Sequence, residues 1–311
     1  MNNGKSIILA SIWILLALIL TVFLIGRIRN SSNGWNLFRN GLIFSASSDF
    51  DDNKSTVYKT ETFDADGISN IEVDLVSERI RIIPYNESKI KVELKGATWE
   101  DSKVTMGTKG NTLEVKVPTM KGKRAKIGSR AAVIYIPESL AKSGSLNSSL
   151  TSVSGAVYAD DIVFERLSVN TVSGSQNING CTLNKANLES VSGSINTYSN
   201  AKEIKINSVS GSIHAAANYG RVNAETVSGS IHVKSFEQLS GDSEFDSVSG
   251  SIHVDIPEDS NFEFKYESMS GSIHTDFAEG RFKKSGSQTI GNGGIRIKCE
   301  TMSGSIHLNK L

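Results

Sequence analysis

Cysteine and proline are almost missing from this chain. The two cysteines, Cys181 and Cys299, fall in different units of a repeat described below. A disulfide needs its Cα atoms within about 7 Å, so no bridge is expected and both read as small buried hydrophobes. Only 4 prolines accompany 27 glycines, which suits many short strands joined by tight turns and excludes a proline-rich linker protein. Net charge is also missing: Lys plus Arg and Asp plus Glu both number 33. Bulk charge therefore points to no polyanionic partner. Without an aromatic stacking motif, nucleic-acid binding has no support. No serine elbow, metalloprotease helix, phosphate loop or nucleotide fingerprint occurs, so the chain is not expected to be an enzyme or to carry a cofactor. A glycan-active solenoid enzyme with acidic residues on one coil face is the distant alternative.

One long apolar run is present. Residues 7–25, IILASIWILLALILTVFLI, carry no charge and as a helix would span about 28 Å, close to the hydrocarbon core of a bilayer. Gly26-Arg27-Ile28-Arg29 follows where a signal-peptidase site would need small residues. An uncleaved transmembrane signal anchor after a short tail (1–6) is expected. Arg27, Arg29 and Arg39 against Lys5 would by themselves place the C-terminal side in the cytoplasm. The six-residue tail translocates poorly as an alternative, and the remainder reads as a surface module, so an extracytoplasmic domain is expected. Residues 26–60, rich in Ser, Asn and Asp, read as a polar stalk.

The decisive signal is periodic. Val/Met-Ser-Gly-Ser/Ala occurs eight times, with glycines at Gly155, Gly174, Gly193, Gly211, Gly229, Gly250, Gly271 and Gly304; the spacings are 19, 19, 18, 18, 21, 21 and 33. Aligned on glycine, the copies show columns. A Ser or Thr precedes the Val/Met, an acidic or polar residue precedes that, and in the last six copies an isoleucine follows two residues after the glycine. The apolar positions on either side of the Ser/Thr step are out of phase by one, so a chain that buries both sets must turn a corner there. Glycine would supply the permissive backbone for that corner. A unit of 18–21 residues that cannot bury its own apolar face is one coil of a β-solenoid.

The expectation is an all-β, β-solenoid-like repeat domain over 61–311. Its coils would be degenerate over 61–145, where Val76-Ser77-Glu78 imitates the motif, and regular over 146–311. The wide last spacing implies a loop or hairpin near 277–295, and a terminal coil ending at Leu311 is expected to expose a strand edge.

All five histidines, His214, His232, His253, His274 and His307, occupy one column. It should point outward as a ladder able to titrate together or bind a transition metal weakly. The plainer reading is a polar side chain copied with the repeat, and a dedicated zinc site is not expected. The Ser/Thr columns could display hydroxyls to a glycan or satisfy corner backbone groups. The segment 116–130 holds six Lys/Arg and no acid, with Lys121, Lys123, Arg124, Lys126 and Arg130 as candidate contacts to an anionic surface. Residues 237–279, by contrast, hold eleven Asp/Glu and one Lys.

With its N-terminal anchor, the AVIYIP strand (132–137) and serial SVSGSI units, the chain resembles the bacterial putative-adhesin family of β-strand-repeat proteins. The resemblance covers roughly residues 60–311. It implies a solenoid-like fold and a cell-surface location, and supplies no catalytic residues. Some membrane-anchored members resemble accessory proteins of cell-envelope-stress operons in Gram-positive bacteria. The expected function is a non-enzymatic, adhesin-like binding or scaffolding module at the envelope. The expected partners are the membrane, through a single-pass anchor, and a cell-wall polymer or envelope protein. An accessory regulator of an envelope-stress sensor is the alternative.

Overall fold

Two strands joined by a glycine corner make one rung. In the rung of Gly229, strand β14 (Tyr219–Thr226) buries Tyr219, Val222, Ala224 and Thr226, and strand β15 (Ile231–Ser235) buries Ile231, Val233 and Ser235. Alternate residues face inward on each strand, and the phase slips between them because the chain turns at Val227-Ser228-Gly229. An isoleucine buried at such a position is worth about 1.5–3 kcal/mol. Neither strand could bury it alone, so stacking is obligatory. The computed structural model describes residues 55–96, 104–117, 130–280 and 282–311. The apolar run 7–25 lies outside the described residues, as do most of the stalk and Lys121, Lys123, Arg124 and Lys126. Among the described residues no helix is long and apolar enough to cross a membrane.

Stacked rungs give a flattened solenoid with two faces, both built from parallel strands. On the back face the spatial order begins with β6 (Thr112–Lys116), β2 (Asn70–Leu75), β8 (Leu146–Ser152) and β10 (Val163–Thr171). It continues through the second halves of β11 (Gln176–Ser190) and β12 (Ile195–Ser208), then β14, β16 (Ser243–Ser247), β21 (Ile295–Thr301) and β18 (Phe262–Ser268). On the front face the order is β7 (Arg130–Pro137), β3 (Arg79–Tyr85), β9 (Val157–Asp160) and the first halves of β11 and β12. Then come β13 (Ile213–Ala217), β15, β17 (Ile252–Ile256), β22 (Ile306–Lys310) and β19 (Ile273–Thr275).

Chain order and spatial order part company at both ends. The first rung, β2/β3, lies between β6/β7 and β8/β9; the last, β21/β22, lies between β16/β17 and β18/β19. The coil ending at Leu311 is therefore not an open edge, which corrects the sequence expectation. The Leu311 amide bonds the Ile256 carbonyl at 2.9 Å inside the stack. Antiparallel strands close the flanks. β5 (Thr105–Lys109) covers β6, β4 (Lys89–Gly96) covers β7, β1 (Val57–Asp64) covers β4, and β20 (Ser285–Ile290) covers β18. The insertion near 277–295 is thus a capping strand. The expected stalk loses residues 57–60 to β1, and within 61–145 only β2/β3 and β6/β7 are rungs. Beyond β19, three residues long, no described strand pairs, and so short an edge offers little template for association.

The corner explains the motif. The Ser or Thr ahead of each Val/Met is buried, and its hydroxyl accepts the corner glycine's N–H at 2.8–3.1 Å for Gly155, Gly193, Gly211, Gly229, Gly250, Gly271 and Gly304. At Gly174 the pattern changes: Thr171 bonds Ser190 and receives Nε2 of Gln176, a glutamine standing in the isoleucine column. The glycines are required for a reason other than the expected one. Positive φ occurs at other glycines and not at these. A Cβ on any corner glycine would lie 1.7–2.2 Å from the backbone oxygen of the corner residue one rung away. Close rung-to-rung approach, not turn conformation, excludes a side chain.

That glycine column ends at Glu78, and so does the register of corner bonds. In later rungs the Val and Ser amides bond carbonyls of the neighbouring corner, as Ser192 N–H does to Val172 at 2.8 Å. At the first corner the Val76 and Ser77 amides instead donate to Oε2 of fully buried Glu78, at 3.1 and 2.9 Å. Glu78 is the chemical cap of the column.

Candidate binding surfaces

The front face carries the histidines. Each sits one residue beyond a buried isoleucine and so points outward, as the column predicts. Their spatial order is His214, His232, His253, His307, His274, because the last rung is intercalated. Successive ring centroids lie 5.0, 4.6, 4.5 and 5.2 Å apart with interplanar angles of 13°, 2°, 2° and 18°. Rung spacing of about 4.8 Å is close to a stacking distance, so one side chain repeated in register forms a π-stack. Rings stacked face to face do not converge their nitrogens on one point. Among the described residues no group of three or more His, Cys, Asp or Glu is placed to hold a metal ion. Partial burial, followed by neighbouring imidazoles, holds His232, His253 and His307 below the usual histidine pKa. The ladder continues toward the N-terminal end as Asn196, Asn177 and Tyr158, and Asn196 donates to Asn177 at 3.1 Å.

The two Ser/Thr columns ahead of the glycine are committed to the backbone. The inner one receives the glycine amides. The outer one, Ser192, Ser210, Ser249 and their equivalents, donates to the valine or methionine carbonyl of the neighbouring corner at 3.0–3.4 Å. Both satisfy the backbone. Arg130 does not belong to a basic surface either. It is 8% exposed and its guanidinium lies 3.8 Å from the Glu78 carboxylate.

On the back face the acidic column becomes a stack of like charges. Glu225 pairs in register with Asp246, Asp246 with Glu300, and Glu300 with Glu267. Lys298 stands beside them, 2.5 Å from Glu244 and 3.0 Å from Glu300; these acids raise its pKa against the opposing cost of burial. Asp246 Oδ1 is buried without a hydrogen-bond partner. Burial, then Glu244, Glu300 and Glu225, push the Asp246 carboxyl up to about 8, with Lys298 opposing. Burial also raises Glu225. The repeat alignment shows the column but not this cluster, because Glu244 and Lys298 are brought together by the rung swap. The cysteines lie in β11 and β21, free and buried. Burial lifts the Cys181 thiol to about 11 and Cys299 well above the usual value, so neither is poised as a thiolate.

Parallel rungs, a glycine-serine corner and outward columns in register define a β-solenoid built on an SGS repeat. The Toastrack DUF4097 family model matches residues 68–309, and the chain belongs to that family. Solved structures with similarity include a putative adhesin from Bacteroides fragilis NCTC 9343: 15% identity, 81% of this chain and 96% of that one covered, TM-score 0.49. A putative lipid binding protein from Parabacteroides distasonis ATCC 8503 gives 14%, 81%, 96% and 0.43. A putative cell adhesion protein from Clostridium sporogenes ATCC 15579 gives 13%, 81%, 99% and 0.28. No curated protein matches the chain.

Proposed function

We propose that this chain is a non-enzymatic binding or scaffolding module, held to the bacterial membrane by residues 7–25 with its solenoid on the outer side. The observation that supports it is the periodic front face. Side chains of one kind recur at a fixed rung interval along a rigid, doubly capped stack, as in the five-histidine ladder. Such a surface repeats its contacts along a line, which suits a polymeric or multivalent partner. Sites that catalyse instead concentrate unlike groups at one point.

The test joins topology to binding. Intact cells carrying a C-terminal epitope tag are treated with protease while membranes are fractionated, and the purified full chain in micelles is sedimented with isolated cell walls. Loss of the tag from a membrane-bound protein, with co-sedimentation, is expected. A protected tag would place the solenoid in the cytoplasm and overturn the reading. An exposed tag without wall binding would favour the accessory-regulator alternative, in which a membrane-plane partner is the target.

A further inference from the structure

Opposite the glycine corners, where each front strand bends into the next back strand, the rungs leave a groove of about 480 Å³. It crosses five rungs, from Val163 to Ser240, a run of about 19 Å at the normal rung spacing. Its polar lining is mostly neutral: Asn184, Asn200, Asn218 and Gln238 supply amides, and Lys202 and Glu237 are its two charged side chains. Asn218 is held in place, donating to Glu237 at 2.9 Å while its own N–H bonds Asn200 Oδ1 at 3.0 Å.

Backbone groups here are already committed between rungs. Thr182, Ala201 and Ser240 amides bond neighbouring carbonyls at 2.9–3.1 Å. A peptide strand could not add to this edge by main-chain pairing. What remains is side-chain amide and hydroxyl chemistry, which both donates and accepts.

Two exposed aromatic side chains lie next to the lining along the chain: Tyr198, two residues before Asn200, and Phe236, beside Glu237. Tyr198 is 56% exposed and Phe236 55% exposed. They stand two rungs apart, about 10 Å along the axis, and in different columns: the register carries the Tyr198 column through Ala216 to Lys234, whose ammonium lies 5.4 Å from the Phe236 ring centroid. Rings that forgo burial leave apolar surface in water. Beside a groove lined by amides they offer exposed apolar ring surface, that of Phe236 shared with the Lys234 ammonium. That is the complement of a pyranose chain, with its C–H faces and its rim of hydroxyls and acetamides. The balanced charge speaks against a polyanion.

We propose that this groove, together with the neighbouring exposed rings of Tyr198 and Phe236, binds an extended uncharged glycan carrying acetamido sugars, lying along the solenoid axis. The proposal rests on the envelope-binding reading and names its site and ligand class. The test is equilibrium binding of the hexamer of β-linked N-acetylglucosamine to the purified full chain in micelles, with wall co-sedimentation in parallel. Saturable binding is expected, weakened at least tenfold by Tyr198→Ala or Phe236→Ala and retained by Tyr198→Phe. Unchanged thermal melts would show that these exposed positions do not unfold the stack. Absence of saturable hexamer binding to the wild type, or binding unmoved by the double alanine variant, would overturn the groove. If walls still sediment the chain in that case, the broader function stands and only this site falls. Hexamer binding without wall binding would support the groove and sink the envelope reading.

Discussion

Asp246 makes the solenoid sensitive to alkali, and replacing it with asparagine should remove that sensitivity. Its carboxyl lies between Glu225 and Glu300 in the stacked column, with Glu244 and Lys298 on the adjoining one. Folding moves its pKa from 3.8 to about 8. Between those values the folded chain holds a proton that the unfolded chain has released, so stability falls as pH rises. This contribution is complete below pH 4 and is lost as pH climbs through 8. At 1.36 kcal/mol per pKa unit the ceiling is on the order of 5 kcal/mol. Sharing of the proton with Glu225 reduces what one substitution recovers. Asparagine already occupies the same column at Asn207, which is 1% exposed, so the shape is tolerated. Urea unfolding of the wild type and Asp246→Asn at pH 5 and pH 8.5 is the assay. The variant's advantage should grow by on the order of 3 kcal/mol from the lower pH to the higher. An advantage identical at both values would refute the reasoning.

The histidine ladder should act in the opposite direction. His232, His253 and His307 are held below the ordinary value, so their contribution is present above pH 6.5 and is lost as pH falls through their folded pKa values. Thermal melts should weaken on acidification below 6.5, and the double variant His232→Asn/His253→Asn should flatten that slope. Gly211→Ala would set a Cβ 2.1 Å from the Gly193 carbonyl oxygen, and a loss of about 3 kcal/mol is expected in denaturant unfolding. Glu78→Ala strips the acceptor from two part-buried amides and removes the buried carboxylate 3.8 Å from the Arg130 guanidinium. About 3 kcal/mol should be lost, with hydrogen exchange accelerating first at Val76 and Ser77.

The rung and its corner were legible in the sequence because each column has one physical job. The isoleucines two residues beyond the glycines fill the core, Ser208 and its equivalents take the glycine amides, and the histidines are left outside. The phase slip at the Ser/Thr step announced the corner. The order of the rungs was not legible. Every SGS unit offers the same corner and the same register to its neighbours, so β18/β19 and β21/β22 are equally acceptable next to β16/β17 as far as local pattern goes. The wide spacing before Gly304 signalled extra chain but not that it carries the strand back between two rungs. For the same reason Lys298 could not be placed beside Glu244. The role of Glu78 was half visible: it stood out as a glycine replaced, while its side-chain bonds to the Val76 and Ser77 amides show only in the structure.

The swapped ends also bear on how such a protein can change length. A rung added by duplication fits wherever both neighbours are ordinary SGS rungs, since each presents the same glycine oxygen and the same valine carbonyl. At either end it would separate an intercalated rung from its partner and displace a cap shaped for one position. Growth and shrinkage over evolutionary time should therefore be confined to the interior. There the spacings of 18 to 21 between Gly155 and Gly250 read as a counter that can be advanced or set back one rung at a time.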